Sequence, residues 1–350
     1  MSAPSGPGPS RLLALAATAG AFVAAGVTAK VLDTRRREHR RELRGEEIEF
    51  GSVHAPARVV TASDGVRLHV EVDEVTGPEA RRRPTVVFVH GWVCTLDTWH
   101  YQRLALRGLV RTVFYDHRSH GRSGRGSRAS STFEQLADDL RTVLDEVVPE
   151  GPVVLVGHSM GGITVQRLAA DAPELFGDCV VAVALLSTSA GRLVRSSPAF
   201  KRALPLLRAG GPLLDWGRGF NSYSVVRRWA VGPDAPAKYA DMADEMILKA
   251  PTHVLLDYYP AFVSMDLRTA AKALGEVPVV VACGTQDLLT PFRHSERMAD
   301  AIPGARLVEL DGAGHMIPLE ENLAVTRVVE DLLAEVGAPV RETEREGATA

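Results

Sequence analysis

The sequence has little cysteine, and its charges nearly balance. Three cysteines occur in 350 residues, at Cys94, Cys179 and Cys283. Their wide separation and odd number exclude a disulfide framework and the paired spacing of a structural zinc site, so we expect them to pack as small apolar side chains. A formal net charge of −3 argues against a nucleic-acid-binding surface. The lack of any repeat of about 20 to 50 residues excludes a solenoid.

Long apolar runs are also scarce, and the one long uncharged run lies near the start of the chain. Residues 12–29 approach the length that spans a bilayer, and seven basic residues follow between 30 and 44. Because a basic flank stays on the cytoplasmic side, we predict a single-pass membrane anchor with the following domain at the cytoplasmic face. A cleaved signal peptide, followed by secretion, and an alanine-rich helix of the folded domain are the alternatives.

Strand-like segments recur along the rest of the chain. Two short ones within 57–70 flank Ser63-Asp64-Gly65, which is a hairpin signal. Apolar runs rich in β-branched residues are typical of parallel strands that are buried on both faces. Such runs occur at 84–89, 111–115, 152–156, 179–186 and 277–282, and another strand-like segment follows at 306–310.

Helix-like segments alternate with these strands, which predicts an α/β sheet with right-handed crossovers. Ser131 and Glu134 form a capping-box pattern before the helical periodicity of 133–147. Thr290 precedes Pro291 as the expected N-cap of the next helix. Residues 318–336 are expected to form the last helix of the fold.

The alternation breaks once, between about 191 and 267, where prolines separate several helix-like pieces. We expect this region to be a helical cap over the carboxyl edge of the sheet. The chain then divides into a start at 1–45 with the apolar segment and its basic flank, a core at 46–190 and 268–337, the cap at 191–267 and a disordered tail at 338–350.

One short motif points to chemistry. The stretch GHSMG at 157–161 lies between a strand-like run and a helical segment, and it matches the G-x-S-x-G elbow, a sharp turn that exposes a serine hydroxyl. The glycines leave room for a backbone that a Cβ atom would obstruct. We therefore predict Ser159 as a nucleophile.

A serine nucleophile needs a base, and the base needs an acid that orients it. His315 lies in a glycine-rich loop after the strand-like segment 306–310, and Asp287 follows the strand-like segment 277–282. Their order in the chain, serine then acid then histidine, is the order found in the fold that carries such an elbow. The strand at 179–186 ends without a carboxylate, which favours Asp287 as the acid.

An oxyanion formed at this serine would need backbone N–H donors. We predict the N–H groups of Trp92 and Met160, with Val93 as the alternative to Trp92. His90 is expected to form hydrogen bonds behind this loop. Residues 116–124 lack the phosphate-binding P-loop pattern, so we expect a hydrogen-bonded loop beneath the site.

Five motifs together resemble the α/β-hydrolase superfamily over about residues 57–336. They are HGW at 90–92, YDHRSHGRSG at 115–124, GHSMGG at 157–162, GTQDLLTP at 284–291 and GAGHMIPLE at 312–320. Within the superfamily the chain is similar to monoacylglycerol lipases, carboxylesterases and haloperoxidase-like members. The resemblance implies an eight-stranded, mostly parallel sheet with a cap after strand six. Ser159 stands where epoxide hydrolases and haloalkane dehalogenases carry aspartate, which disfavours an alkyl-enzyme mechanism.

The sequence therefore predicts a serine hydrolase that cleaves carboxylic esters or lipid-like substrates without a metal or cofactor. Perhydrolysis and the cleavage of thioesters, amides or C–C bonds would use the same side chains, and an inactive ligand-binding fold is an alternative of another class. Apolar cap residues predict an acyl pocket, with helix packing as the competing explanation. They are Leu206, Leu207, Leu213, Leu214, Trp216, Phe220, Tyr223 and Trp229.

Overall fold

The computed structural model describes residues 34–35, 45, 47–77, 82–149, 151–191, 193, 198–218 and 221–340. The apolar segment 12–29 lies outside the described residues, so membrane anchoring stays a prediction. Among the helices of the described ranges, none has the length and apolarity that crossing a membrane requires.

The predicted sheet is confirmed. In the described part of the chain, eight strands form it in the order β1-β2-β4-β3-β5-β6-β7-β8. The pairs β1–β2 and β2–β4 are antiparallel, and all other neighbours are parallel. The strands are β1 (Ala57–Thr61), β2 (Arg67–Asp73), β3 (Thr85–Val89), β4 (Thr112–Tyr115), β5 (Val153–His158), β6 (Val180–Leu186), β7 (Val279–Gly284) and β8 (Arg306–Leu310).

Helices cover both faces of this sheet, which explains why its central strands are apolar throughout. Along β3, Val87 and Val89 point into one core cluster, whereas Val86 and Phe88 point into the cluster on the opposite face. This alternation follows from the two-residue period of a strand. The sheet edge that carries the strands' carboxyl ends is thereby held rigidly between two packed layers.

The helices connect the strands and form the region between β6 and β7. Seven of them, α4 to α10, lie between those strands in the described residues. The helices are α1 (His100–Leu106), α2 (Phe133–Val147), α3 (Met160–Asp171), α4 (Pro198–Ala209), α5 (Gly211–Arg218), α6 (Ser222–Trp229), α7 (Ala237–Lys249), α8 (Thr252–Asp257), α9 (Tyr259–Ser264), α10 (Ala271–Leu274), α11 (Arg293–Ala301), α12 (Ile317–Glu320) and α13 (Asn322–Glu335). Short 3₁₀ helices occur at Leu96–Trp99, Arg128–Ser130, Pro173–Leu175 and Arg268–Ala270.

Two predicted helix starts were wrong. Thr132 caps α2 by accepting a hydrogen bond from the Gln135 N–H at 3.2 Å, so Ser131 does not form the predicted capping box. Helix α11 begins at Arg293, because the Thr290 side chain bonds to a carboxylate and is not used as a cap. The last predicted helix is two helices, α12 and α13, which are separated at Glu321.

A buried ion-pair cluster joins α1 to β2. The Arg103 guanidinium donates two hydrogen bonds of 2.8 Å to Asp73 and one of 2.7 Å to Glu71. The side chains of all three residues are at most 2% exposed. Removing the cation would leave two carboxylates without their bidentate partner in a site with little access to water.

We expect Arg103→Met to lower the free energy of unfolding by about 3–5 kcal/mol. The matched control is Arg58→Met, because Arg58 pairs with Glu74 at 2.9 Å on the surface, where both side chains are about half exposed, and such pairs contribute roughly 0–1 kcal/mol. Urea unfolding of both variants measures the difference. Similar small losses in the two variants would contradict the assigned role of the buried cluster.

Candidate active site

Ser159 lies on a sharp turn between β5, which ends at His158, and α3, which begins at Met160. Its φ of 53° is in the left-handed region, which costs energy for a residue with a side chain. The turn is held because the Ser159 N–H donates to the Leu186 carbonyl at 2.9 Å and the Thr188 hydroxyl donates to the Ser159 carbonyl at 2.8 Å. The serine hydroxyl is thereby presented at the carboxyl edge of the sheet.

The glycines of the motif allow this turn to pack directly on its neighbours. A Cβ atom on Gly157 would lie 2.7 Å from the Gly161 carbonyl oxygen, and a Cβ atom on Gly161 would overlap the Val89 carbonyl of β3. Both contacts are closer than real side chains make. The spacing of glycine around Ser159 is therefore a steric requirement of the turn.

The structure brings the three predicted side chains together. The Ser159 Oγ lies 2.9 Å from His315 Nε2, and His315 Nδ1 lies 2.8 Å from Asp287 Oδ2. Asp287 follows β7, and His315 lies on the loop after β8. The chain separates Ser159 from His315 by 156 positions, so the parallel sheet creates the contact by aligning the ends of its strands.

Asp287 is held as an ionised acceptor. Its Oδ1 accepts the Leu289 and Thr290 N–H groups, each at 2.8 Å, and its Oδ2 accepts the Thr290 hydroxyl at 2.6 Å. Burial alone would raise the pKa of Asp287, but the His315 imidazole and the Thr290 hydrogen bonds outweigh burial, so the pKa lies below its ordinary value. The sequence predicted Thr290 as a helix cap and missed this support of the carboxylate.

The hydrogen bonds also assign the tautomer of His315. An ionised carboxylate can only accept hydrogen bonds, so His315 Nδ1 carries a proton and its N–H donates a hydrogen bond to Asp287. The other ring nitrogen, Nε2, is then an acceptor that faces the Ser159 hydroxyl. This is the protonation state that a base needs for removing the serine proton.

A second histidine, His158, supports the backbone of His315. His158 is fully buried, and burial together with the neighbouring His315 lowers the pKa of His158 to about 3. The neutral ring donates from Nε2 to the His315 carbonyl at 2.9 Å. His158 therefore holds the backbone of His315. No local pattern in the sequence indicates this role, because it depends on a contact between the end of β5 and the distant loop that carries His315.

The loop after β3 is built on another neutral histidine. His90 is fully buried, and burial lowers the pKa of His90 well below its ordinary value. Its Nδ1 donates to the Gly91 carbonyl at 2.7 Å, and its Nε2 accepts the His117 N–H at 2.9 Å. Val93, two residues further along this loop, has a φ of 55°, which is unusual for a β-branched residue. His90 thus lies behind the loop and fixes its course.

This loop passes close to Ser159. Val89 of β3 is in register with Gly157 of β5, and a Cβ atom on Gly91 would lie 3.2 Å from the Ser159 Cβ. Trp92 follows Gly91 directly, and Met160 follows Ser159 as the first residue of α3. The predicted oxyanion donors are therefore the residues next to Gly91 and Ser159, whose chains meet here, and their roles as donors stay a prediction.

The buried charges of the loop at 116–124 are satisfied by the loop's own backbone and by neighbouring residues. Burial raises the pKa of Asp116 to about 6, and its carboxylate accepts the Leu96 and Arg122 N–H groups, each at 2.8 Å. The fully buried Arg118 side chain bonds to Asp139 and Asp64. Within the described residues, these contacts do not form a phosphate-binding site.

The predicted acyl pocket needs a correction. Leu206 and Leu213 are 77% and 71% exposed. Their helices α4 and α5 contact α8 through Arg208, which bonds to the Leu256 carbonyl, and Arg218, which bonds to the Thr252 hydroxyl. Leu214 and Trp229 are also exposed, and the side chains of Trp216 and Phe220 lie outside the described residues. A buried apolar cluster that includes Met160, the residue after Ser159, instead contains Val93 and the cap residues Val254, Tyr258 and Phe262.

A cavity of about 260 Å³ lies between α3, α10 and α11. Ser189 and His294 line it and contact each other at 2.8 Å between Oγ and Nδ1. None of the three converging side chains borders this cavity. The residues around Ser159, and not this cavity, are therefore the candidate active site.

None of the three cysteines, all of them in the described residues, has an activated thiol. Burial raises the pKa of Cys94 and of Cys283 to about 12 and also raises the pKa of the partly buried Cys179, which disfavours the reactive thiolate form. Within the described ranges, no group of three or more His, Cys, Asp or Glu side chains could hold a metal ion.

A serine on a strand-to-helix elbow, with an acid and a histidine from later loops of the same parallel sheet, defines an α/β-fold hydrolase. The sequence model of the alpha/beta hydrolase family matches residues 86–328. The chain belongs to this family.

Relatives and solved structures extend the comparison. A protein of Azorhizobium caulinodans, assigned provisionally as the carbamate hydrolase RutD, is 31% identical over 218 residues, which cover 62% of this chain and 78% of the relative. An esterase from Thermogutta terrifontis is similar in structure, with 26% identity, a TM-score of 0.65 and coverage of 81% of this chain and 99% of the esterase. The enol-lactonase from Burkholderia xenovorans LB400 has 28% identity, a TM-score of 0.64 and coverage of 79% and 100%, respectively.

Proposed function

We propose that the chain hydrolyses carboxylic esters through an acyl-enzyme formed on Ser159. The observation that carries the proposal is the continuous line of contacts from the Ser159 hydroxyl through His315 to Asp287, at 2.9 Å and 2.8 Å. The first distance lets His315 take the hydroxyl proton directly, and the second lets the Asp287 carboxylate orient the imidazole through a hydrogen bond.

In the first half of the reaction, His315 Nε2 takes the hydroxyl proton while the Ser159 Oγ bonds to the ester carbonyl carbon. The carbonyl oxygen becomes an oxyanion, which the N–H groups of Trp92 and Met160 would stabilise. The tetrahedral intermediate then loses the alcohol. His315 returns its proton to the leaving oxygen, and the acyl group remains on Ser159.

In the second half, His315 takes a proton from water, and the resulting hydroxide attacks the acyl carbon. Collapse of this intermediate breaks the bond to Ser159 Oγ, which recovers its proton from His315. The carboxylic acid leaves. Asp287 stabilises the imidazolium in both halves because its ionised carboxylate faces Nδ1.

An apolar acyl group fits the surroundings of the serine. Met160, Val93 and Val254 form a buried apolar cluster there, and Trp92 packs against it. The solved esterase and enol-lactonase with similar folds act on ester bonds according to their names, which supports an ester substrate. We therefore propose a small apolar ester as the substrate class.

Carbamate hydrolysis is the second candidate, and the relative from Azorhizobium caulinodans favours it. A carbamate also presents a carbonyl carbon to the serine, but nitrogen donation into the carbonyl makes attack harder. The two candidates therefore differ in the acyl group that the site accepts, and both use the same nucleophile.

A matched substrate panel separates the candidates. We expect kcat/KM for p-nitrophenyl butyrate to exceed that for p-nitrophenyl N-propylcarbamate by about 100-fold or more, which is about 2.7 kcal/mol of transition-state stabilisation. The butyryl thioester of the same length serves as the third arm. A higher kcat/KM for the carbamate would reverse the order of the candidates.

Membrane anchoring through residues 12–29 remains a separate proposal, with the hydrolase domain on the cytoplasmic side and secretion as the alternative. It rests on the apolar run and its basic flank. Recovery of the full chain in the membrane fraction after an alkaline carbonate wash would support it. Recovery in the soluble fraction would contradict it.

A further inference from the structure

A single carboxylate holds the loop that carries His315. The Gly314 N–H donates to Glu320 Oε2 at 3.0 Å, and the Met316 N–H donates to Glu320 Oε1 at 3.0 Å. The backbone N–H groups on both sides of His315 are therefore bonded to one side chain. The loop has no helix or strand of its own between β8 and α12, so these bonds define its position.

The same carboxylate reaches the cap. The Gly232 N–H, in the turn after α6, donates to Glu320 Oε2 at 2.7 Å. Two residues earlier, the Ala230 carbonyl accepts the N–H groups of His315 and Met316, each at 3.0 Å. The cap turn at 230–232 and the His315 loop are thus one hydrogen-bonded unit, with Glu320 at its centre.

The packing at this junction leaves no room for adjustment. A Cβ atom on Gly232 would overlap the Gly312 carbonyl and lie 3.1 Å from Glu320 Oε2. A Cβ atom on Gly314 would overlap the Gly232 nitrogen. Backbone meets backbone here, so a shift of the cap turn moves the His315 loop with it.

Ordinary helix capping explains only part of this arrangement. Met316 is the N-cap of α12, and the Glu320 N–H donates back to the Met316 carbonyl at 2.9 Å. A side chain one turn into a helix often accepts the N-cap N–H in this way. The bonds from Gly314 and Gly232 lie outside the helix, and a capping role does not account for them.

We propose that Glu320 is a positioning residue that fixes His315 between Ser159 and Asp287 and couples the cap turn to that base. The proposal rests on the proposed function of His315. The base must keep two contacts of less than 3 Å at once. A displacement of about 1 Å at a catalytic group can lower a rate by about 100-fold.

The test is Glu320→Gln, which keeps the size of the side chain but replaces one acceptor oxygen with an NH₂ donor. We expect kcat for p-nitrophenyl butyrate to fall by about 10- to 100-fold, with KM changed by less than about twofold. The rate of Ser159 labelling by a fluorophosphonate should fall by the same factor as kcat, because both depend on His315. The matched control is Glu321→Gln at the next position, which leaves these bonds intact and should keep wild-type rates.

Values of kcat and labelling rate in Glu320→Gln within about twofold of wild type would overturn the proposal. If that variant fails to fold, amide hydrogen exchange in the wild-type chain tests the hydrogen bonds to Glu320 directly. The Gly232 and Gly314 amides should be protected from exchange, and unprotected amides at both positions would contradict the positioning role of Glu320. Lack of labelling and turnover in the wild type would instead refute the proposed function, while the exchange measurement would still test the bonds to Glu320.

Discussion

Ser159→Ala should lower kcat for p-nitrophenyl butyrate by about 10⁴-fold or more and leave the chain folded. Without the hydroxyl, no acyl group can be transferred to the protein, and only the slow direct attack of water remains. The left-handed φ of 53° is kept by backbone contacts, which alanine retains. We therefore expect the free energy of unfolding to change by only about 1 kcal/mol, the contribution of one hydrogen bond.

The control for this variant is Ser264→Ala. Ser264 is a surface serine at the end of α9, and its hydroxyl donates to the nearby Pro260 and Ala261 carbonyls. We expect the Ser264→Ala variant to have the kcat of the wild type. Turnover by Ser159→Ala at a rate close to that of Ser264→Ala would show that another group attacks the substrate.

Asp287→Asn should lower kcat by about 10³- to 10⁴-fold. The Asn amide would present an NH₂ donor where the carboxylate accepts the His315 Nδ1 proton at 2.8 Å. His315 would then favour the tautomer with its proton on Nε2, which cannot take the Ser159 proton. Steady-state kinetics at neutral pH, with thermal unfolding as a check of folding, measures the effect.

The same variant should change how stability depends on pH. The pKa of Asp287 in the folded chain lies below its ordinary value because His315 and Thr290 outweigh the effect of burial. The ionised carboxylate therefore favours the folded state above its unfolded pKa, and this contribution is lost as the pH falls through the folded pKa. The difference in unfolding free energy between wild type and Asp287→Asn should be larger at about pH 7 than at about pH 3.

Asp311→Asn is the matched control for both measurements. Asp311 is exposed in the loop after β8, where its carboxylate accepts the Thr285 hydroxyl at 3.2 Å. The substitution Asp311→Asn removes one negative charge near the loops that carry Asp287 and His315, and it leaves the contacts of His315 unchanged. Equal losses of kcat in Asp311→Asn and Asp287→Asn would indicate an effect of charge alone and contradict the role of Asp287.

The parts of the site that could be predicted from the sequence are those that local patterns encode. Ser159 is marked by the glycines that its turn requires, and His315 and Asp287 follow strand-like segments whose carboxyl ends meet at one edge of a parallel sheet. The apolar β-branched runs likewise predicted the strands of the sheet. In each case the pattern and its structural cause lie within about ten residues of each other in the chain, the scale on which periodicity and turn signals act.

The remaining parts depend on contacts that no local pattern encodes. Glu320 and His158 support His315 through bonds to its backbone or its loop, and a polar residue with such a bond looks like any other in the sequence. Thr290 was assigned to a helix start because Thr-Pro favours one, but the Asp287 carboxylate competes for its hydroxyl. The apolar cap residues were assigned to a pocket although helix orientation, which sequence does not specify, exposes several of them.

The central claim is that the Ser159 Oγ is the nucleophile that becomes acylated. Covalent labelling tests this claim most directly. The full chain would be treated with a fluorophosphonate, digested and mapped by mass spectrometry, beside Ser159→Ala. We predict one stoichiometric adduct on the peptide that contains Ser159 in the active wild-type protein, and none in the variant. An adduct at another residue, or ester turnover that survives complete labelling of Ser159, would contradict the account.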